Sequence, residues 1–291
     1  MTSHLLTSVA KLLDQSDEDR IIHIQKNHWI GYPKANEILR AMEDLLAHPR
    51  VHRMPNMLIK SATNNGKSSL LHRFEKLHQS YEDEHDERIK TPVLFIEVSP
   101  DPSPDALYSL ILQGLQIGYR ESYSKEIKAK KAFQAITHHG VKMLLIDELH
   151  VLMNTTKLRK SQMLDALKYI SNCAQIPIVA AGTIEAHTAI LSDSQLANRF
   201  KPHALPNWSL DASFHKLVLS FEKMLPLQLP SNLGRKELTT ELYAMSAGWI
   251  GELTEVLQKA AKLAIDSKEE RITLDILRSL GWQTPEQRRT V

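Results

Sequence analysis

Residues 57–79 read MLIKSATNNGKSSLLHRFEKLHQ, and the order of textures within them sets the architecture. Met57–Ile59 is a short, unbroken apolar run of the kind found in strands buried on both faces. Ser61-Ala62-Thr63-Asn64-Asn65-Gly66-Lys67-Ser68 follows at once, and a helical pattern opens at Lys67 and continues to Gln79. A strand, a loop closing on Gly-Lys-Ser and a helix form the context that a phosphate-binding loop requires. Gly66 lets the backbone curl so that successive N–H groups face an anion. Lys67 can then reach the β- and γ-phosphates of ATP, and Ser68 offers a hydroxyl to Mg2+ at the positive end of the helix dipole. Ser61 to Ser69 is therefore the candidate nucleotide-binding segment. The pattern asks for glycine where Ser61 stands, which makes the loop less permissive. A chance Gly-Lys-Ser is the competing explanation of the motif alone.

Working outward, Val93–Val98, Met143–Ile146 and Ile176–Ala181 are further compact apolar runs, and His203–Leu205 is a candidate fifth strand. Helical patterns at Pro104–Ile117, Lys125–Thr137 and Ser161–Ala174 lie between them. This alternation predicts an α/β domain built on a mainly parallel five-stranded sheet. Residues 1–26 carry a weak amphipathic pattern, and Tyr32–Leu46 is helical in period. After Trp208 the texture changes. Ala212–Met224, Lys236–Ser246, Gly251–Ser267 and Leu274–Leu280 have helical patterns with no buried-strand run among them, which predicts a smaller all-helical domain. The expected organisation is an N-terminal extension (1–26), an α/β nucleotide-binding domain (27–208), a helical lid (209–281) and a C-terminal tail (282–291). The mixed-charge run EDEHDERIK at 82–90 reads as a solvated connection.

Composition narrows the class. The chain has 291 residues, and its 36 basic against 34 acidic side chains leave a net charge of +2, so any nucleic-acid surface must be local. The single cysteine, Cys173, rules out an internal disulfide framework and a Cys-rich zinc site, and fits a reducing cytoplasm. On a predicted helix without a patterned histidine partner, it reads as a buried structural thiol. Apolar runs stay short of the roughly 18 residues of a membrane span. The first residues lack the basic region and cleavage site of a signal peptide.

Chemistry is suggested at three further places. KMLLIDE at 142–148 is a buried strand running into two carboxylates. Asp147 would hold Mg2+ with Ser68, and Glu148 would polarise the attacking water as general base; the alternative is that both acids cap the following helix. Thr183, just past the 176–181 run, would orient water or touch the γ-phosphate, or else cap the helix that begins at Ile184. Tyr119, Arg120, Tyr123, Lys125, Lys128, Lys130 and Lys131 cluster basic groups among hydroxyls. They suit sequence-independent contact with the phosphates of double-stranded DNA, or a solvated helix face. Residues 155–160 form a weaker second basic cluster.

The segments WIGYP (29–33), HPR (48–50), PNMLI (55–59), TNNGKS (63–68), LLIDELH (144–150), AGT (181–183) and NRF (198–200) together resemble the TniB/TnsC-type AAA+ ATPases. These are regulators of DNA transposition in Tn7-like and Tn5053-like elements, CRISPR-associated ones among them. The resemblance implies an AAA+ core with a helical lid, Mg-ATP-driven ring or filament assembly on duplex DNA, a DDE transposase and a target-selection protein as partners, and a nucleoid-associated cytoplasmic location. It implies Asp147 and Glu148 as the Walker B pair, Thr183 as sensor 1, and Arg199 as an arginine finger reaching a neighbouring subunit's ATP. Arg199 is otherwise a surface arginine at a helix end. Trp29, Ile30 and Tyr32 stand where adenine is held in such proteins, or else belong to the core. Glu252 stands where many of them carry an arginine that senses the γ-phosphate. A helicase loader or replication-initiation ATPase, and a nucleotide-gated scaffold with little turnover, are the rival functions.

Overall fold

The structure is a computed structural model, and it describes residues 4–83 and 88–289. These fall into two compact units. One contains residues 33–63 and 67–206; the other contains the residues up to Tyr32, the short stretch Asn64–Gly66, and the chain from Asn207 onward.

The first unit is an α/β layer structure. Its strands are β1 (Asn56–Lys60), β2 (Tyr81–Asp83), β3 (Arg88–Lys90), β4 (Val93–Glu97), β5 (Met143–Asp147), β6 (Ile178–Gly182) and β7 (Phe200–Ala204). Five of them form a sheet in the order β4-β5-β6-β1-β7, and all its pairings are parallel. Every residue of β5 and β6 is buried, as expected of central strands with helices on both faces. The crossover helices Lys67–Leu77, Pro104–Gly114, Lys125–His138 and Lys157–Ala174 cover the sheet and bury Phe74, Ile111, Ile136 and Leu167. Asn56 ties three elements at the amino end of β1. Its Oδ1 accepts from the Ile178 N–H at 2.8 Å, and its own N–H donates to the Arg199 carbonyl at 2.9 Å.

Residues 82–90, expected as a solvated connection, do lie largely exposed between the Lys67–Leu77 helix and β4, but they also carry the paired antiparallel strands β2 and β3; residues 84–87 lie outside the described residues. Alternating charges hid the hairpin, since its strands are only three residues long and largely exposed.

The second unit is helical, with main helices Asp17–Gln25, Ala212–Glu222, Lys236–Ser246, Ile250–Asp266 and Leu274–Ser279 around a core that includes Ile24, Phe214, Leu242 and Val256. The N-terminal segment is fixed into this unit. Arg20 is 1% exposed; its guanidinium donates to both oxygens of Glu270 and, at 2.7 and 3.0 Å, to the Pro226 carbonyl. Burial would lower the Arg20 pKa, but the Glu270 carboxylate outweighs that and holds the guanidinium charged. Residues after Leu280 also pack here. The Trp282 indole donates to the Met245 carbonyl at 2.9 Å, and Pro285–Arg289 forms a short helix. Among the described residues, no helix is long and apolar enough to cross a membrane.

Candidate nucleotide site

The carboxyl edge of the parallel sheet gathers Lys67, Asp147, Glu148 and Thr183. β6 lies between β5 and β1, so the strand ends at Asp147, Gly182 and Lys60 stand side by side, with neighbouring strands about 4.8 Å apart. Ligands of open α/β sheets bind beyond this edge. The Ser61 N–H donates to the Gly182 carbonyl at 3.2 Å, which fixes where the loop leaves the sheet.

Lys67 is buried. Its ammonium donates to the carbonyls of Ala62 at 2.7 Å and Ser61 at 3.3 Å, so the side chain folds back beneath its own loop. Burial pulls its pKa down, while the charges of Asp147 and Glu148 oppose that shift. Ser68 and Ser69 open the helix with exposed side chains. Gly66 has φ +82°, a left-handed conformation that L side chains rarely adopt.

Asp147 is 2% exposed, and its Oδ1 accepts the Glu148 N–H at 2.8 Å. Glu148 itself has φ 59°, an uncommon conformation for a non-glycine residue and one that concentrates at functional sites. That turn separates the two carboxylates. Asp147 stays in the sheet edge, whereas the Glu148 carboxylate lies 3.1 Å from His150 Nδ1, close enough for an ion pair but not aligned as a hydrogen bond. Thr183 precedes the Ile184–Leu191 helix without capping it. The Thr183 hydroxyl near the Glu185 carboxyl helps hold that carboxyl below its usual range. Gly182 is required by proximity: a Cβ there would fall 2.5 Å from the Ala186 Cβ and 3.2 Å from the His150 N.

Arg199 sits elsewhere. It immediately precedes β7, at the amino edge of the sheet, and donates to Asn172 Oδ1 at 2.7 Å. A five-residue strand is about 16 Å long, so the finger candidate lies a strand's length from the carboxyl edge of its own sheet. Trp29, Ile30 and Tyr32 belong to the helical unit. Trp29 is half-buried, Ile30 packs against the helical core, and Tyr32 meets Trp208 edge-on at 4.9 Å between ring centroids. Burial raises the Tyr32 hydroxyl pKa to about 12.

Part of the basic cluster departs from expectation. Lys128 is 1% exposed and donates to Asp105 at 2.8 Å, with Glu121 at 3.7 Å and the Tyr119 ring beneath it at 5.4 Å. The Asp105 hydrogen bond raises its pKa despite burial. This lysine secures its helix, so it is not a surface cation. Lys125, Lys130 and Arg120 are exposed, and Lys131 rests 5.8 Å from the centre of the Tyr123 ring. In the second basic cluster Arg159 is paired with Asp101. Cys173 is exposed, contrary to the expected buried thiol.

Sequence reasoning missed His150 beside Glu148, Asn172 beneath Arg199, and Arg288, which pairs with Glu252 in the helical unit. The first was visible in LLIDELH. The other two are contacts between distant segments and leave no local signal.

Comparison with known proteins gives the family and the fold. The family model for the bacterial TniB protein matches residues 20–210. The chain belongs to the TniB family. No curated protein matches it. Among solved structures, the ORC2 protein of Aeropyrum pernix, solved as ADPNP-ADP complexes, resembles it with a TM-score of 0.66 at 12% identity, covering 88% of this chain and 70% of that one. Cdc6p of Pyrobaculum aerophilum gives 0.64 at 13% identity over 89% and 69%. The ORC1 protein of Aeropyrum pernix in complex with DNA gives 0.58 at 14% identity over 89% and 68%. This TniB-family chain thus has the AAA+ fold of the ORC and Cdc6 proteins.

Proposed function

We propose that this TniB-family protein is an ATP-hydrolysing regulator of DNA transposition that oligomerises on double-stranded DNA without sequence preference and recruits a DDE transposase. The observation that carries the reading is the gathering of Lys67, Asp147, Glu148 and Thr183 at the carboxyl edge of one parallel sheet, directly around a Gly-Lys-Ser loop. The residues present fit Mg-ATP. The donor set offers an ammonium and a helix N-terminus for phosphate, with Ser68 and Asp147 oxygens for a hard cation. Among the described residues no group of three or more His, Cys, Asp or Glu side chains could hold a metal ion by itself, so phosphate oxygens would complete the coordination. Bound Mg-ATP supplies the phosphoanhydride and the charge screening. Lys67 stabilises charge on the phosphoryl oxygens, Glu148 draws the proton from the attacking water, and Thr183 orients that water.

Arg199 fits a shared site. Its distance from its own loop supports action on a nucleotide held by a neighbouring copy, which makes nucleotide binding and self-association interdependent. Lys125, Lys130, Lys131 and Arg120 suit contact with DNA phosphates. The ORC1 relative, solved with DNA, keeps replication-type loading as a second reading of the fold, and the TniB match favours transposition.

The test is DNA binding with nucleotide as the variable. With ATP and Mg2+ the protein should bind duplexes of unrelated sequence equally, with affinity falling as salt rises, and Lys67→Ala should lose the ATP-dependent part. DNA binding that is indifferent to ATP would overturn the reading.

A further inference from the structure

The helical unit includes the turn of the phosphate loop, Asn64–Gly66. Within that unit the turn rests on one end of the Ile250–Asp266 helix. The Gly251 N–H donates to the Asn64 carbonyl at 3.1 Å, and the Asn64 amide donates to Glu252 Oε1 at 3.0 Å. The approach leaves no room. A Cβ on Gly251 would fall 1.9 Å from Asn64 Oδ1, and one on Gly66 would touch Ile250 at 3.5 Å. Asn64 is meanwhile held at φ 59°. Glu252, whose carboxylate makes this contact, is only 4% exposed. Its other oxygen accepts from Arg288 on the Pro285–Arg289 helix. The Arg288 guanidinium lies 5.5 Å from the centre of the Trp282 ring, whose indole is anchored on Met245. Two successive contacts therefore lead from Arg288 to the loop.

We propose that Arg288 is a positioning residue for the nucleotide's phosphates and acts through Glu252, cancelling the carboxylate that touches the phosphate loop and holding Asn64 in its left-handed turn. The inference rests on the reading of residues 61–68 as a nucleotide-phosphate site. Its physics is direct. A loop that binds anions through N–H groups cannot also carry an uncompensated carboxylate on its turn without repelling them. A buried carboxylate also needs a charged or hydrogen-bonding partner on each oxygen. Arg288 meets both needs. Because it stands on a separate short helix, anything that withdraws that helix would expose the negative charge and weaken nucleotide binding without touching the loop.

The experiment measures affinity for Mg-ATP and Mg-ADP by calorimetry at two salt concentrations, below the lowest melting midpoint of the set. The proteins are the parent, Arg288→Ala, Glu252→Gln, the Arg288→Ala/Glu252→Gln double variant, and Lys67→Ala. Arg288→Ala should weaken ATP binding about tenfold, weaken ADP binding less because ADP carries less charge, and lose part of this difference at high salt. Glu252→Gln keeps an acceptor for Asn64 and removes the charge, so the double variant should recover parent-like affinity. The proposal is overturned if Arg288→Ala binds both nucleotides as the parent does. It is equally overturned if the loss ignores phosphate number and salt, or if the double variant stays weak. Parent-like ATP binding by Lys67→Ala would instead overturn the underlying reading of the loop.

Discussion

Under the proposed function, Lys67 binds phosphate and Glu148 serves as the base, and the surroundings of each side chain make the two roles separable by mutation. Lys67 is buried under the loop with two carbonyls and two nearby carboxylates to hold its charge. Removing it should abolish nucleotide binding, which equilibrium binding of a fluorescent ATP analogue will read. Glu148→Gln preserves shape and the backbone bond to Asp147. It should keep nucleotide binding and lower hydrolysis by about 10²–10⁴-fold, the usual worth of a positioned general base. Parent-like turnover by Glu148→Gln would move the base elsewhere, with His150 the neighbour to examine first. Lys128 behaves differently. Lys128→Glu would set a third acid against Asp105 and Glu121. It should destabilise the fold by about 2 kcal/mol, discounted from a fully buried pair because Asp105 is 44% exposed. Its thermal midpoint should fall, and any DNA-binding loss should follow the unfolded fraction.

Among the elements, the short helix Ser194–Ala197 between β6 and β7 leads into Arg199. Asp193 organises it, accepting from the Gln195 and Leu196 N–H groups at 2.9 and 3.0 Å and from Lys168 at 2.8 Å. Burial alone would raise the Asp193 pKa, but Lys168 and the two N–H groups outweigh it and hold the group below its usual 3.8. A depressed carboxylate stabilises the fold above its unfolded pKa and loses that contribution as pH falls through the folded value. Asp193→Ala should therefore cost about 1–2 kcal/mol near neutrality and less below about pH 4, as denaturant unfolding at the two pH values will show. On the Lys125–His138 helix, reversing Lys125, Lys130 and Lys131 to glutamate while leaving Lys128 should reduce the salt slope of DNA binding without changing the midpoint of unfolding by more than a degree or two. An unchanged slope would shift attention to the second basic cluster.

The strands and the site were not equally legible in the sequence. β1, β4, β5 and β6 announce themselves because strands buried on both faces are continuous apolar runs, and the Gly-Lys-Ser and Asp-Glu pairs sit at their carboxyl ends. The β2–β3 hairpin was hidden because short exposed strands have no apolar period. The burial of Lys128 was hidden because its partner Asp105 belongs to another helix, and charge counting cannot see a cross-helix pair. Arg288 was hidden for the same reason, since Glu252 lies on a different helix.

For the whole molecule, the proposed ATP site is completed only between copies. Arg199 at the amino edge and the candidate phosphate loop at the carboxyl edge of one sheet support that sharing. Arg199→Ala alone should remain folded, since replacing a half-exposed arginine typically changes stability by under about 1 kcal/mol. The measurement is steady-state ATP hydrolysis on duplex DNA by Arg199→Ala, by Lys67→Ala, and by the two mixed at equal concentration. Each alone should be inactive. The mixture should recover part of the parent rate, because some interfaces then pair an intact loop with an intact finger. Full activity of Arg199→Ala alone, or no recovery in a mixture that still co-assembles on DNA, would contradict a shared site.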